Sequence, residues 1–206
     1  MKKLFYKFLP LLLVLSLAGC QKRNYFPDEY NPGLSRFTSH GFNIGTFYLN
    51  NVPYINPFLG AARGNSMATL RKIVTNSALD TLMLSWDIGI NDNGNADFSS
   101  PYQTILLLMP IPKSFTKADF IAMSGQQFIY NANALQTPYY YYSDAISVVP
   151  NIYFVKINPI QTTDTTAKLE LSGLFNCNIR TNIIGDSIVI TKGRFDFQID
   201  EASLNF

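Results

Sequence analysis

Few side chains in this chain could carry out acid–base, nucleophilic or metal chemistry. It holds one histidine, His40, and two cysteines, Cys20 and Cys177. Histidine moves protons near neutral pH, so a Ser-His-Asp or Cys-His set would have to recruit His40. No serine, and no residue around Cys177, sits in a nucleophile-elbow pattern. Zinc sites built from His and Cys commonly take four ligands, more than these three residues supply. The segment "GAARGNS" (60–66) lacks the Gly-Lys-Ser/Thr ending with which a P-loop grips phosphate. The oxygen-rich run "DIGINDNGNAD" (87–97) offers Asp92, Asn93, Asn95 and Asp97, ligands of the hard type that calcium takes. Setting Gly94 at the glycine of an EF-hand loop, however, puts Gly89 where the first aspartate belongs. Asn93-Gly94 between two alternating runs instead predicts a two-residue hairpin turn. No catalytic residue, metal site or cofactor is expected. The remaining candidates are aromatic: Tyr139, Tyr140, Tyr141 and Tyr142 in succession. On a strand, alternate rings face opposite sides, so one pair can meet solvent as flat apolar platforms with polar tips. Such rings suit stacking on sugars or anchoring a partner. Burial of both pairs under neighbouring strands is the competing arrangement.

Cys20 closes a short oily segment. Lys2, Lys3 and Lys7 leave an uncharged run of 13 residues from Phe8 to Cys20, whereas a membrane-spanning helix takes about 20. A basic start, an apolar stretch Phe8–Ala18 and small residues before a boundary predict a secretory signal peptide. Its ending, Leu17-Ala18-Gly19-Cys20, resembles the lipobox of bacterial lipoproteins. That resemblance implies cleavage between Gly19 and Cys20, a diacylglycerol on the Cys20 thiol and a further acyl chain on the new amine. A thiolate is a strong nucleophile, and two or more chains hold a protein stably to a bilayer where one does so only marginally. Three segments follow: signal peptide 1–19, lipidated cysteine and tether 20–41, and one domain 42–206. Gln21, rather than aspartate, after the lipid site implies delivery to the outer membrane. The basic Gln21-Lys22-Arg23-Asn24 leaves periplasmic against surface exposure open.

Removal of the leader also changes the charge. The sixteen Lys and Arg lose Lys2, Lys3 and Lys7, leaving thirteen against fourteen Asp and Glu, so +2 becomes −1. A near-neutral surface carries no electrostatic footprint for nucleic acid. With Cys20 acylated, Cys177 has no partner for an intramolecular disulfide and is expected as a buried, inert thiol.

From Gln21 to Gly41 the chain is polar, carries Pro27, Pro32, Gly33 and Gly41, and has no helical or alternating period. It reads as a linker, with Tyr25, Phe26, Tyr30 and Phe37 able to dock part of it on the domain. His40 is expected as an exposed linker residue. Beyond it, alternation dominates. Leu169, Leu171, Phe175, Cys177 and Ile179 share one parity; Lys168, Glu170, Ser172, Asn176, Asn178 and Arg180 take the other. Leu82, Leu84, Trp86, Ile88 and Ile90 repeat the pattern, with Asp87 outward, while "YQTILLLMP" reads as a more enclosed strand. Further strands are predicted at 43–49, 52–56, 67–75, 127–131, 139–142 and 146–157. In "SIVITKGRFDFQID", Phe195, Phe197 and Ile199 are inward and Arg194, Asp196 and Gln198 outward, with Arg194 and Asp196 as an exposed ion pair. Ile188 and Ile190 fall on the outward parity. A bulge at Lys192-Gly193 would reverse it, but Val189 supplies an inward group and a continuous register is preferred. One helix is predicted at 117–124, with Thr116 and Asp119 as capping box and Gly125 as stop.

These elements predict an all-β domain, an antiparallel β-sandwich or flattened barrel with one short helix. Its closing strands, Gly173-Leu174-Phe175 and Ile190 through Phe197, resemble uncharacterised β-rich lipoprotein domains of Bacteroidota-type bacteria. That resemblance covers about the last 40 residues and implies a β-rich fold without any catalytic residue. The expected role is a non-catalytic binding module, tethered by lipid and taking a glycan, a peptide or an envelope protein. The alternatives are a structural envelope lipoprotein without a small ligand and, further behind, a hydrolase with two carboxylates in an aromatic cleft.

Overall fold

The computed structural model describes residues 27–56, 68–76, 78–92, 95–96, 103–128, 141–142, 145–161, 167–180 and 187–200. Along the chain these form β1 (Ile44–Leu49), β2 (Val52–Ile55), β3 (Ala68–Ile73), β4 (Leu79–Asp92), β5 (Asn95–Ala96) and β6 (Gln103–Pro112). The helix α1 (Lys117–Ala122) follows, then β7 (Gln127–Phe128), β8 (Tyr141–Tyr142), β9 (Ala145–Val148), β10 (Asn151–Gln161), β11 (Ala167–Arg180) and β12 (Ser187–Asp200). The strands run in the order β7-β10-β11-β12-β1-β2-β4-β6-β9-β8, with β3 and β5 also paired to β4.

The long strand β4 joins two arms. Its last residues pair with β2 (Tyr54↔Ile90), while its first half pairs with β3 (Leu70↔Leu84) and, on the other edge, with β6 (Leu84↔Leu107). The sheet is all-β and sandwich-like; it does not close into a barrel. The pairs are antiparallel except β6–β9, which runs parallel (Ile105↔Ile146). The chain leaves β6 through α1 and visits β7 on the other arm before returning, so no hairpin constrains the two directions. The expected strand 146–157 is two strands, β9 and β10, split at Val149-Pro150, where proline cannot donate to a ladder.

One hydrophobic cluster lies between the arms. The inward parities read from sequence supply most of it: Leu82, Leu84, Trp86 and Ile88 from β4, and Leu169, Leu171, Phe175 and Cys177 from β11. Ile90, expected inward with the first group, is instead 45% exposed where β4 pairs with β2. Trp86 crosses the interior to Phe197, Phe175 and Phe195 at ring-centroid distances of 5.2, 5.8 and 6.2 Å. A Cβ on Gly45 would come 2.5 Å from Trp86 Nε1, so glycine is what lets the indole lie on β1. Each large apolar side chain fully buried here contributes about 1.5–3 kcal/mol. Helix α1 has its predicted capping box: Thr116 Oγ1 accepts from the Asp119 N–H, and the Asp119 carboxylate accepts from the Thr116 N–H at 2.8 Å. Phe120 plugs the helix into the core, edge-on to Phe154, and Gly125 turns the chain at φ +75.

The continuous register predicted for the final strand is corrected by the structure. Across β11–β12, Phe175 faces Gly193 but Cys177 faces Ile190, and β1 shows the same slip between Thr46↔Arg194 and Tyr48↔Thr191. One extra residue sits on β12, and Lys192 takes φ +53 there. The bulge reverses the parity, so Ile190 is buried upstream while Phe195, Phe197 and Ile199 are buried downstream. Val189 is only half-buried. β4 and β5 pair as Asn91↔Ala96 and Asp92↔Asn95, while Asn93 and Gly94, the predicted turn, lie outside the described residues.

Candidate binding face

The outward face of β10, β11 and β12 is half covered by the chain's own N-terminal segment. Pro27–Ser35 closes on itself through a bridge between its ends and through the Asp28 N–H donating to Leu34 O, with Leu34 fully buried. The Asp28 carboxylate also accepts from the backbone N–H groups of Tyr30 and Asn31 and from the Asn31 side chain. The Tyr48 hydroxyl on β1 donates to Pro32 O at 2.7 Å. Farther along, the Asp196 carboxylate accepts four bonds: from the Thr38 hydroxyl and from the N–H groups of His40, Gly41 and Phe42. Pro27–Phe42 is therefore a strap fixed to β12 rather than free chain. Beside it, Lys156 donates to Ser39 O and forms an ion pair with Glu170. His40 is exposed, as expected from sequence, and its ring meets Phe42 at 5.9 Å.

Arg194 and Asp196, predicted as an exposed ion pair, are 8% and 2% exposed and bind the strap instead of each other. Both point outward from β12, as their parity requires, but the strap covers them. Arg194 Nη1 reaches Asp28 Oδ2 at 2.5 Å. Burial pushes the Asp28 carboxyl up, but its bonds to Arg194, Asn31 and Tyr30 outweigh that and hold it at about 2. Glu170 is lowered chiefly by its bond to Lys156.

Where the strap ends, the sheet face opens into a shallow groove of about 290 Å³. In register across it stand Gln127↔Tyr153, Tyr153↔Leu174 and Leu174↔Arg194, and beside them Asn151↔Asn176. Tyr153 and Leu174 are each 43% exposed, and the amides of Gln127, Asn151 and Asn176 face solvent with no hydrogen bond to a described residue. Lys192, exposed at the bulge, forms one rim, and Arg194 forms the wall shared with the strap. An aromatic platform beside amides on adjacent strands can cover the C–H face of a sugar ring while donating to and accepting from its hydroxyls.

Of the residues singled out in the sequence, Gly19, Cys20, Tyr139 and Tyr140 lie outside the described residues. Tyr141 and Tyr142 form β8, the end strand, paired as Tyr141↔Ile146 and Tyr142↔Ala145. The groove residues were not among the sequence candidates. Part of their signal was present: Leu174 is an apolar side chain on the polar parity of β11, whereas Tyr153 shares its parity with Val155 and Ile157. Cys177 is 6% exposed, burial pushes its thiol up to about 12, and it donates to Val149 O. Comparison with known proteins yields no match to a family model, to a curated protein or to a solved structure.

Proposed function

We propose that the protein is a non-catalytic binding module, held at the outer membrane by lipid on Cys20, and that it takes a saccharide on the face of β7, β10, β11 and β12. The observation that supports this reading is the groove itself: a half-exposed Tyr153 ring, Leu174 beside it, and three exposed side-chain amides from three strands with no hydrogen bond to a described residue. These groups need only water in the free protein and can exchange it for sugar hydroxyls. Acid–base catalysis fits poorly. The one histidine is at the strap's edge, none of the groove's lining residues is acidic, and Asp28, Asp196 and Glu170 on the same face are committed to donors.

The test is glycan screening of the processed full chain in detergent, followed by titration of any hit. Stacking on one aromatic ring is worth about 0.5–1.5 kcal/mol, so Tyr153→Ala should weaken binding by roughly 2- to 12-fold, and adding Asn151→Ala with Asn176→Ala should weaken it further. A saccharide bound equally by the wild type and the triple variant would remove the groove from the account.

A further inference from the structure

The strap changes what the anchor can do. Free chain from Cys20 to Gly41 would let the domain roam, with an end-to-end distance on the order of 25 Å. With Pro27 onward fixed to β12, only seven peptide links separate Cys20 from Pro27, which as free chain span on the order of 15 Å. The place where this leash meets the domain is also the wall of the groove. Asp28, next to Pro27, is bonded to Arg194, and Arg194 lines the groove.

We infer that the groove is held towards the anchoring membrane and that its occupant is a saccharide carried by that membrane; the inference rests on lipidation of Cys20 and on saccharide binding as proposed above. Two further features point the same way. Tyr30, two residues from Asp28, is 88% exposed, an amphipathic ring of the kind that settles at headgroup level. Lys192 presents an ammonium at the groove rim, where a membrane saccharide bearing phosphate or carboxylate would place negative charge. The outward face of the other arm, where Arg71 and Asp87 are exposed, lies a sheet-to-sheet spacing of about 10 Å farther off, with a layer of side chains beyond it.

The experiment uses the full chain, processed and lipidated in cells and then reconstituted into phospholipid vesicles. A thiol fluorophore is placed at Asn178→Cys, exposed on the outward parity of β11 beside the groove but not lining it, or at Arg71→Cys on the other arm. Buried Cys177 does not compete for the label. With nitroxide on the lipid headgroups, the Asn178→Cys reporter should be quenched more than the Arg71→Cys reporter. Inserting about twenty Gly and Ser residues after Arg23 lengthens the leash to a reach on the order of 30 Å and should abolish the difference. Vesicles containing lipopolysaccharide should shield the Asn178→Cys reporter from aqueous iodide, whereas free core oligosaccharide at equal saccharide concentration should not. Equal quenching on the two arms, or equal shielding by the free oligosaccharide, would overturn the inference while leaving the lipid anchor and saccharide binding standing. A chain that fails to float with the vesicles would remove the anchor, and the inference with it.

Discussion

Asp196→Ala is the perturbation that most directly tests the strap. The carboxylate is 2% exposed and accepts from four groups of the strap. Hydrogen bonds to a charged group are worth about 1.5–3 kcal/mol each when buried, and less where water can replace the partner. The Gly41 N–H bond, 2.8 Å long, is the fully buried one; taken at about 2 kcal/mol, with roughly 0.5–1 kcal/mol for each of the other three, the loss is about 4 kcal/mol. A domain of this size shifts by roughly 2–4 °C per kcal/mol, so Tm should fall by about 8–16 °C. Calorimetry reads that number, and limited trypsinolysis reads where it comes from. Arg36 is exposed within the strap, and cleavage after it should accelerate under conditions in which β11 and β12 stay intact. The matched control is Asp87→Ala, an exposed carboxylate on β4 whose one side-chain partner is the Thr104 hydroxyl, for which under about 1 kcal/mol is expected. If both variants melt within about 2 °C of wild type and Arg36 stays protected, the strap is not held by Asp196 and the short leash fails with it.

Three other outcomes follow from the same geometry. Asp28 ionises at about 2 in the folded protein against an ordinary 3.8, so its pairing with Arg194 stabilises the fold above about pH 4 and is lost as pH falls towards 2; Asp28→Asn should lower stability at neutral pH and flatten that acid limb in urea titrations. Cys177, with its thiol pushed up to about 12, should resist maleimide in the native protein at pH 8 and react fully in denaturant, and fast native labelling would contradict its burial. Gly193→Ala sets a Cβ 2.6 Å from the backbone oxygen of Phe175 and should cost about 1–3 kcal/mol, readable as a lowered urea midpoint at unchanged slope.

What the sequence showed and what it hid divide by distance along the chain. The alternation of β4 from Leu82 to Ile88, that of β11 from Leu169 to Cys177 and the capping box of α1 are written in neighbours two to four residues apart, and each is found where its period placed it, while Ile90 at the crossing to β2 is not. Arg194 and Asp196 were misread for the opposite reason. Parity correctly points both outward, but the partners that cover them, Asp28 and Gly41, lie 166 and 155 positions away. A polar residue on an outward parity is exposed only if no other segment crosses that face, and no local period reports on that. The groove is hidden for a related reason: Leu174 stands on the polar parity of β11, but Tyr153 shares its parity with Val155 and Ile157, and only the register shift between Phe154 and Lys156 leaves Tyr153 outward while Ile157 is buried.

The bulge at Lys192 shows why one residue resisted reading while also mattering most to the face. Without it, Ile188 and Ile190 would share a side with Arg194 and Asp196, and either apolar groups would meet solvent or the charged pair would enter the core. A left-handed Lys192 followed by Gly193 spends one residue to reverse the parity: Ile190 turns in against Cys177, and Arg194 keeps its outward aim. Gly193 is suited to the place because Phe175 occupies the space a side chain would need. The same step carries Lys192 out of the ladder to the groove rim and presents its carbonyl to the Arg194 side chain. Core continuity, strap attachment and groove rim thus depend on a single local deformation, and deleting Lys192 should disturb all three together. The deletion variant should lose thermal stability, expose Arg36 to trypsin and lose saccharide binding in concert; loss of binding with the strap and stability intact would show that the rim is independent of the register.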